Sequence, residues 1–538
     1  MPVISNNESI VPFFGERLSF VKGLDPLGLQ NTSDSTFSIL LPGLNNVTGR
    51  IRYYSFYSWL LDAYSKESGS TKPKDQRQFI RRAEFIVALV SQYIKGDSSS
   101  ITGSNYANVE VNVKELTQHN LQEGTYKSDG STRDTYWNYP SGAFGQYYLG
   151  SLRDISIVIE RENHAGLYVR TSKRSNEYVS GEDLAEAFSN NIKPAKQKLF
   201  LSCIQSGSIT ENQIKQLLPD FNLASLPSES NELELLKQLI LQKDFPFRIE
   251  EIPRTLRKQT IKHILQYLST HDNEEFYDRI FVYHCYDVQG KNEGKQDECL
   301  MGWYYYQFNE FWQVACTSIL NGTLSFLEQK AGPNWMPLTN LVKDITEKII
   351  ADFKKQKLIK TGNESVNDIL MNISKENTEY SFLDSTEKSK FTSKVANAFL
   401  LIFKIYLHNQ NELAALKVYA ENNDIAKDGE GIGYFLTQFN THKSRILSKF
   451  IYEFIFNNII YRHQYVAFRK IGGGSLSTQK FIIEDHHIRY IGNFEAGYTS
   501  PRIGRLVGFL KDMEILNLDN DLTDAGRSML KILSSVND

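Results

Sequence analysis

The sequence is poor in cysteine and has no long hydrophobic run. Its 538 residues include four cysteines. None forms a CxxC pair, and the spaced ligand pairs of a zinc site are absent, so we expect buried thiols in a reduced intracellular protein, with no disulfides, metal or cofactor.

The longest apolar stretch starts at Phe399 and is interrupted by Lys404, which excludes a membrane-spanning helix. The first residues lack the basic and apolar regions of a signal peptide, so the predicted location is cytoplasmic.

Net charge is also low. The formal value of −3 excludes a uniformly basic nucleic-acid binder and leaves room for a local basic face. Hydrophobic residues make up 41% of the chain and aromatic residues 12%, which is enough for a large core without disulfides.

Catalytic motifs are missing from the sequence. There is no GxxxxGK[ST], HExxH or GxSxG, so a P-loop ATPase, a zinc protease and an α/β-hydrolase are not expected. The densest polar cluster is Asp485-His486-His487, with His463 upstream. A general base or a metal site there needs further groups that the sequence does not place, so no catalytic residue is predicted.

Helical periodicity dominates the chain. Residues 50–64 and 75–95 each have one apolar face, and the middle of the chain repeats this pattern between polar linkers. The further predicted helices are 214–218, 233–241, 256–268, 304–320, 341–353, 391–407 and 444–460. The stretch GWYYYQFNEFWQVA has the spacing of a core helix, which is favoured over a base-stacking platform. No fixed repeat period is present, so the middle is not a solenoid.

Two places combine helices with short β-rich segments. Strands are predicted at 156–160 and 167–171, between a helix at 144–155 and a helix capped by Ser180. Nearer the C-terminus, 464–470 and 480–484 flank the turn GGGSLS. A helix over 500–514 follows, with Pro501 in its first position, and a last helix begins at 522. This order is typical of winged helices.

The predicted fold is therefore mainly α with small β-wings, a helical middle flanked by winged-helix-like units. The predicted domains are an N-terminal helical domain (1–104), a possible winged-helix-like unit (105–192), a helical middle domain (193–440) and a C-terminal winged-helix-like domain (441–538).

The C-terminal domain has a basic part. Residues 441–511 contain 11 basic and four acidic residues, a net charge of +7, whereas residues 512–538 have a net charge of −4. Cations of this density bind phosphates or an acidic partner protein. The candidate DNA-binding residues are Arg469, Lys470, Arg489, Arg502, Arg505 and Lys511. Arg502 and Arg505 are three residues apart, which predicts one shared helix face.

Residues 25–61 contain the stretch PGLNNVTGRIRYYSFYSW, which fits the pattern PGxxNxTxRxRYYSFYxW. This stretch resembles accessory proteins of bacterial defence islands, of which the Lamassu-type anti-phage and anti-plasmid systems are the nearest. The helix GWYYYQFNEFWQVA and the tail SPRIGRLVGFLKDMEIL are similar to those proteins as well. The resemblance implies an SMC- or Rad50-like ATPase and an effector nuclease as partners, and a kleisin-like or third-subunit role. It brings no catalytic residues. The signature residues are Asn46, Thr48, Arg50, Arg52, Tyr53 and Tyr54.

The signature has a physical interpretation of its own. Asn45, Asn46 and Thr48 are predicted to cap a helix that starts near Gly49. Arg50 and Arg52 would then lie in its first turn, where the helix dipole disfavours cations. Such arginines need an acidic partner, which is either a carboxylate of the same domain or a phosphate.

Three functions follow from these observations. The first is a non-catalytic accessory subunit of a bacterial defence complex, bridging an SMC-like ATPase and double-stranded DNA. The second is a stand-alone winged-helix DNA-binding regulator that uses the basic segment 441–511. The third is a cryptic nuclease or hydrolase that uses His463, His486 or His487.

Overall fold

The computed structural model describes residues 19–20, 25–94, 100–174, 177–244, 254–271, 276–291, 297–425, 436, 439–470 and 476–535. The chain forms two compact units. Unit 1 comprises residues 1–36 and 302–499, and unit 2 comprises residues 37–301 and 500–538. The segment predicted as one C-terminal domain, 441–538, is divided between the two units after Thr499.

Helices make up most of the described chain. The first eleven are α1 (Gln30–Leu40), α2 (Arg52–Glu67), α3 (Pro73–Ser91), α4 (Ser104–Asn108), α5 (Leu149–Asp154), α6 (Gly181–Asn190), α7 (Pro194–Ser206), α8 (Glu211–Leu217), α9 (Asn231–Leu241), α10 (Leu256–Thr270) and α11 (Asp278–Lys291). The others are α12 (Glu298–Ala331), α13 (Leu338–Lys355), α14 (Val366–Asn372), α15 (Glu379–Lys388), α16 (Phe391–Asn409), α17 (Leu413–Asn422), α18 (Leu447–Glu453), α19 (Arg462–Arg469), α20 (Ile503–Asp512) and α21 (Asp524–Ser535). Segments of π-helix occupy Val109–Val113, Phe144–Tyr148 and Phe454–Tyr461.

The strands are short. They are β1 (Ser19–Phe20), β2 (Gln118–Asn120), β3 (Val158–Glu160), β4 (Tyr168–Arg170), β5 (Ser208–Thr210), β6 (Met336–Pro337), β7 (Leu476–Ser477), β8 (Phe481–Glu484) and β9 (His487–Tyr490). Strands β2 and β5, and β3 and β4, form antiparallel pairs, while β1 and β7 pair in parallel. The three-stranded sheet has the order β6-β9-β8 and is antiparallel.

The mainly α class with small sheets is confirmed, and the winged-helix units are not. In the C-terminal segment, β8 and β9 belong to unit 1 and pair with β6 from the turn before α13, whereas α20 and α21 belong to unit 2. Strands β8 and β9 and helices α20 and α21, predicted to form one winged-helix-like domain, are therefore parts of different units.

Unit 2 is built around α2. Every residue of α2 from Arg52 to Leu61 is buried, and α6 packs along it. The core beside Trp59 is aromatic, with Phe200 and Phe221 stacked at a centroid distance of 4.1 Å. One apolar face was expected over 50–64, whereas all faces of the first half of α2 are buried. A helix at the centre of a unit is expected to be buried all round.

Unit 1 is built around α12 and α16. The aromatic stretch that begins at Trp303 is buried from Trp303 to Leu320, which confirms its prediction as a core helix. Phe399 and Phe403 of α16 contact Phe454 and Phe450 respectively. Most of the side chains in this core are apolar or aromatic, so burial of nonpolar area stabilises it.

Two local predictions near the C-terminus are wrong. Of residues 464–470, predicted as β-rich, all but Lys470 belong to α19, because His463, Val466 and Ala467 have helical spacing and are buried together. The helix predicted to start at Pro501 begins at Ile503, since Arg502 has a left-handed backbone with φ of 58°. Part of the GGGSLS turn lies outside the described residues.

Within the described residues, every helix is too short or too polar to cross a bilayer.

Candidate functional site

The signature segment forms a turn at residues 45–49, which we call the signature turn, and continues into the buried helix α2. The Asn45 side chain accepts hydrogen bonds from the backbone N–H groups of Val47 (2.8 Å) and Thr48 (2.9 Å). Thr48 is buried and Asn46 is exposed. Helix α2 begins after Ile51 without a side-chain cap. The prediction that these polar residues cap the helix is wrong, because their hydrogen bonds close the turn before it.

Arg52 makes a fully buried ion pair. Its Nε donates to Oε1 of Glu232 at 3.2 Å, and its Nη1 donates to the carbonyl oxygen of Asn222 at 2.7 Å. Glu232 is itself buried and accepts a further hydrogen bond from the Asn191 side chain at 2.7 Å. The guanidinium and the carboxylate are therefore satisfied inside unit 2.

Arg50 is paired with the C-terminal part of the same unit. Its Nη1 donates to Oδ1 of Asp512 at 2.6 Å, and its Nε donates to Ser100 at 2.6 Å. The Oδ2 of Asp512 accepts the backbone N–H of Ile51 at 3.3 Å. Burial raises the pKa of Asp512 to about 6, although Arg50 opposes that shift. Both signature arginines thus pair with carboxylates of unit 2 and not with a phosphate, although both carboxylates lie outside the predicted domain 1–104 in which a partner was expected.

The signature tyrosines are core residues. Tyr53 and Tyr54 are 0% and 2% exposed. The hydroxyl of Tyr53 is hydrogen bonded to Thr102 at 3.0 Å, and that of Tyr54 donates to the Gly43 carbonyl. Burial raises the pKa of both hydroxyls, so both stay protonated and serve as structural hydrogen-bonding groups.

An open groove of about 750 Å³ lies next to this signature turn in unit 2. Its lining comes from the signature turn, the segment 100–106, the loop 135–139, the end of the second π-helical segment and α20. The lining residues are Val47, Gly49, Ser100, Ile101, Thr102, Gly103, Ser104, Asn105, Tyr106, Thr135, Tyr136, Trp137, Asn138, Tyr139, Gln146, Tyr147 and Arg505. Besides Val47, Ile101 and two glycines, these described residues have aromatic, amide or hydroxyl side chains, with one cation, and none of them is Asp, Glu, His, Cys or Lys. We call it the aromatic groove.

Aromatic side chains shape the surface of the aromatic groove. Trp137 meets Tyr147 edge to face at 5.0 Å and donates its indole N–H to Gln146 at 2.9 Å. Tyr139 is 50% exposed. Arg505 is exposed and donates from Nε to the Asn46 carbonyl at 2.8 Å, so it fixes α20 to the signature turn.

Two buried charged residues of α3 hold the groove loop 135–139 in place. Arg81 donates to the carbonyl oxygens of Thr125 (2.6 Å) and Trp137 (2.8 Å). The Glu84 carboxyl accepts the hydroxyl of Tyr136 and two backbone N–H groups, and burial raises its pKa. The sequence did not reveal the role of either residue. Arg81 and Glu84 differ from the solvated charged residues of α3 only in being buried, and no local pattern shows that.

The predicted DNA-binding residues of unit 1 make contacts within that unit. The Arg469 guanidinium lies 5.6 Å from the Tyr465 ring centre, and that of Arg489 lies 5.0 Å from the Trp335 ring centre. Lys470 donates to the Asp25 carbonyl at 2.6 Å.

The other three predicted residues belong to unit 2. Arg502 donates to the Leu44 carbonyl at 3.3 Å and lies 3.7 Å from the Phe37 ring centre, and Lys511 donates to the Leu518 carbonyl at 2.7 Å. Arg502 and Arg505 do not share a helix face, because Arg502 precedes α20. Of the six residues, only Arg505 lines the aromatic groove, and DNA binding by the set stays a prediction.

The histidines of the catalytic hypothesis are not arranged as an acid–base site. His463 is buried: Nδ1 contacts the Pro26 carbonyl at 2.8 Å and Nε2 accepts the Lys480 N–H at 3.0 Å. Burial lowers its pKa to about 4. His486 and His487 are exposed at the β8–β9 turn. With both ring nitrogens on the backbone, His463 serves as a structural link in unit 1.

Asn309 and Glu310, two polar residues of the aromatic stretch in α12, have a structural role as well. Glu310 accepts hydrogen bonds from Ser33 and from the Thr499 N–H (2.8 Å), and Asn309 donates to Ser33 at 2.7 Å. All of these atoms are buried in unit 1.

No protein-family model, curated protein or solved structure matches this chain.

Proposed function

We propose that this protein is a non-catalytic accessory subunit of a bacterial anti-phage or anti-plasmid defence complex, in which it binds an SMC- or Rad50-like ATPase. The composition of the aromatic groove carries this proposal. Acid–base, nucleophilic and metal catalysis each need a carboxylate, imidazole, thiolate, amine or activated hydroxyl beside the reacting atoms. Within the part of the chain that the structure describes, the lining has no carboxylate, imidazole, thiol or amine side chain. The Glu84 carboxyl that accepts the Tyr136 hydroxyl is itself fully buried beneath the groove loop, so the groove is suited to holding a ligand.

The surface of the aromatic groove favours a protein segment as that ligand. Tyr and Trp combine a large apolar body with a polar tip and are enriched at protein interfaces, where they dominate binding energy. A double-stranded DNA needs several cations along its phosphates, and Arg505 is the one cation among the described residues of the lining. The ATPase is therefore the expected occupant, and the effector nuclease and DNA are further members of the complex.

The signature turn connects the groove to the family resemblance. Val47 and Gly49 of that turn line the groove, and Arg50 and Arg52 anchor the helix that follows it to internal carboxylates. In this proposal the signature is a scaffold that shapes a binding surface.

The test is co-purification of the tagged full-length chain with its genomic neighbours, with and without DNase, identified by mass spectrometry. We expect the ATPase to be retained after DNase. In Trp137→Ala and Tyr139→Ala, retention should fall about tenfold or more, as for loss of an interface hot spot. Tyr465→Ala is the matched control, since Tyr465 is 59% exposed and belongs to unit 1.

The possible outcomes separate the hypotheses. Loss of the ATPase on DNase treatment means that DNA is the tether and favours the DNA-binding regulator. Recovery of no partner contradicts the accessory-subunit proposal. Equal retention by the groove variants and Tyr465→Ala assigns partner binding to another surface.

A further inference from the structure

Three residues with metal-ligating side chains meet between α10 and the start of α12 in unit 2. They are His263, Asp297 and Cys299, whose ligand atoms all lie within 4.8 Å of one another. His263 Nε2 is 3.1 Å from Asp297 Oδ2. In the sequence, Cys299 stands without a paired cysteine, and His263 is 36 positions earlier, so zinc-motif spacing does not reveal this cluster.

The local fold presents these atoms to a common point. The Oδ1 atom of Asp297 accepts the N–H groups of Cys299 (2.9 Å) and Leu300 (3.0 Å), which fixes the carboxylate at the start of α12 and leaves Oδ2 directed at His263. Cys299 is fully buried and contacts Thr260 through sulfur at 3.3 Å. Thr260 and His263 are one turn apart on α10, so both face the first turn of α12.

We propose that His263, Asp297 and Cys299 bind one divalent transition-metal ion, with Zn²⁺ as the preferred ion and water in the fourth position. Imidazole nitrogen, carboxylate oxygen and thiolate sulfur are the three protein donors that Zn²⁺ uses. At bond lengths of about 2.0 to 2.3 Å, tetrahedral ligands lie about 3.3 to 3.8 Å apart. A cluster already within 4.8 Å reaches this geometry by small side-chain movements.

Charge and exposure agree with a bound cation. One carboxylate and one thiolate neutralise the two charges of Zn²⁺, which suits a site with one wall in the core. The opposite side is open, because the side chains of His263 and Asp297 are 18% and 38% exposed. That opening provides the entry path and space for water. Binding requires that the thiol lose its proton and with it the hydrogen bond that it donates to the Leu256 carbonyl at 3.7 Å, while the Thr260 hydroxyl can donate to the thiolate.

This inference goes beyond the proposed binding function and does not depend on it. A bound ion would join α10 to the first turn of α12, in a part of unit 2 separate from the residues that line the aromatic groove.

Cobalt and zinc titrations of the chelator-treated full-length chain test the proposal. We expect one Co²⁺ per chain with a thiolate-to-metal charge-transfer band, and displacement of that Co²⁺ by Zn²⁺. Asp297→Asn keeps the helix cap, because Asn caps as well as Asp, but it removes the anionic ligand. It should weaken Zn²⁺ binding about tenfold or more with little change in melting temperature without metal. Cys299→Ser should abolish the charge-transfer band.

Cys203→Ser is the matched control, since Cys203 is also a buried cysteine of unit 2. It should leave both titrations unchanged. A chain that retains less than one ion at micromolar Co²⁺ or Zn²⁺ overturns the proposal. So does a charge-transfer band that survives Cys299→Ser, or Zn²⁺ affinity unchanged in both Asp297→Asn and His263→Gln. A Zn²⁺-dependent rise in melting temperature in the wild type and in Cys203→Ser that is smaller in Asp297→Asn at the same Zn²⁺ concentration supports it independently.

Discussion

A cation near the first turn of a helix is opposed by the helix dipole, so it requires a compensating anion. At the start of α2, Asp512 compensates Arg50 and Glu232 compensates Arg52. Asp512 also accepts the N–H of Ile51, so one carboxylate neutralises the guanidinium and satisfies a backbone donor that precedes the helix. These residues connect α2 to distant parts of unit 2 and leave neither arginine as a simple surface charge.

The Arg52–Glu232 pair should be costly to break from one side. We expect Arg52→Met to lower the free energy of unfolding by about 3 to 5 kcal/mol, because Glu232 then remains buried without its cation. The double variant Arg52→Met/Glu232→Gln should recover part of that loss. Urea denaturation followed by circular dichroism measures the free energy of unfolding of the wild type, the single variant and the double variant. Arg133→Met is the control, since the Arg133 side chain is 89% exposed; a cost for Arg52→Met no larger than for this control would contradict the prediction.

His463 should make the stability of unit 1 depend on pH. Its pKa is about 4 in the folded chain, against 6.5 for an ordinary histidine, so the unfolded chain binds the proton more tightly. The stabilisation is complete above pH 6.5 and is lost as pH falls toward 4.

Between pH 7.5 and pH 5 the wild type should therefore lose about 2 kcal/mol more than His463→Gln. Chemical denaturation at the two pH values measures this difference. His487→Gln, at the exposed hairpin turn, is the control and should behave as the wild type. Equal pH dependence in wild type and His463→Gln would refute the assignment.

At the scale of the element, local hydrogen bonding sets where helices begin. Ser180 and Asp183 form a reciprocal capping box at α6, with the Asp183 N–H donating to the Ser180 hydroxyl at 3.2 Å and the Ser180 N–H donating to Asp183 at 2.9 Å. Helix α6 packs along α2. The cap therefore positions one face of the core of unit 2.

We expect Ser180→Ala to lower stability by about 1 kcal/mol, since the first turn of α6 loses its acceptor. Thermal and urea unfolding of the two proteins give this difference. The matched change is Ser202→Ala, an exposed serine within α7, for which the expected effect is within about 0.5 kcal/mol. A Ser180→Ala protein as stable as the wild type would mean that the cap contributes nothing.

Sequence patterns could predict the elements better than the site. The start of α6 followed from Ser180 and the acidic residues after it, and the buried helix at 50–64 followed from its apolar spacing, because both signals are local. The interval 464–470 was mispredicted, since alternation of apolar residues over a few positions resembles both a strand and one helical face. The aromatic groove depends on Arg81, Glu84 and Arg505 meeting residues far away in the chain, and no local pattern contains that information.

At the scale of the whole molecule, the two units divide the predicted C-terminal domain. Phe509 of α20 contacts Tyr54 edge to face at a centroid distance of 5.7 Å, and Asp512 pairs with Arg50. Both partners lie outside residues 441–538. The helices at the end of the chain are thus completed by its N-terminal half.

A fragment of residues 441–538 should accordingly fail to fold alone. We expect it to lack a cooperative thermal transition and to be digested by protease much faster than the same residues in the full-length chain. Circular dichroism melting and timed proteolysis test this, with the intact protein as the control. A sharp, cooperative melt of the fragment would instead restore the autonomous C-terminal domain.

The interrupted course of the chain also has a consequence for inheritance. Unit 1 is encoded by two separated stretches of the gene, and so is unit 2. Recombination that exchanges one end of the gene would combine part of a core with a foreign remainder, so these units cannot be shuffled among proteins as cassettes. We therefore expect the coding sequence to diversify by substitution within a chain that is transmitted whole.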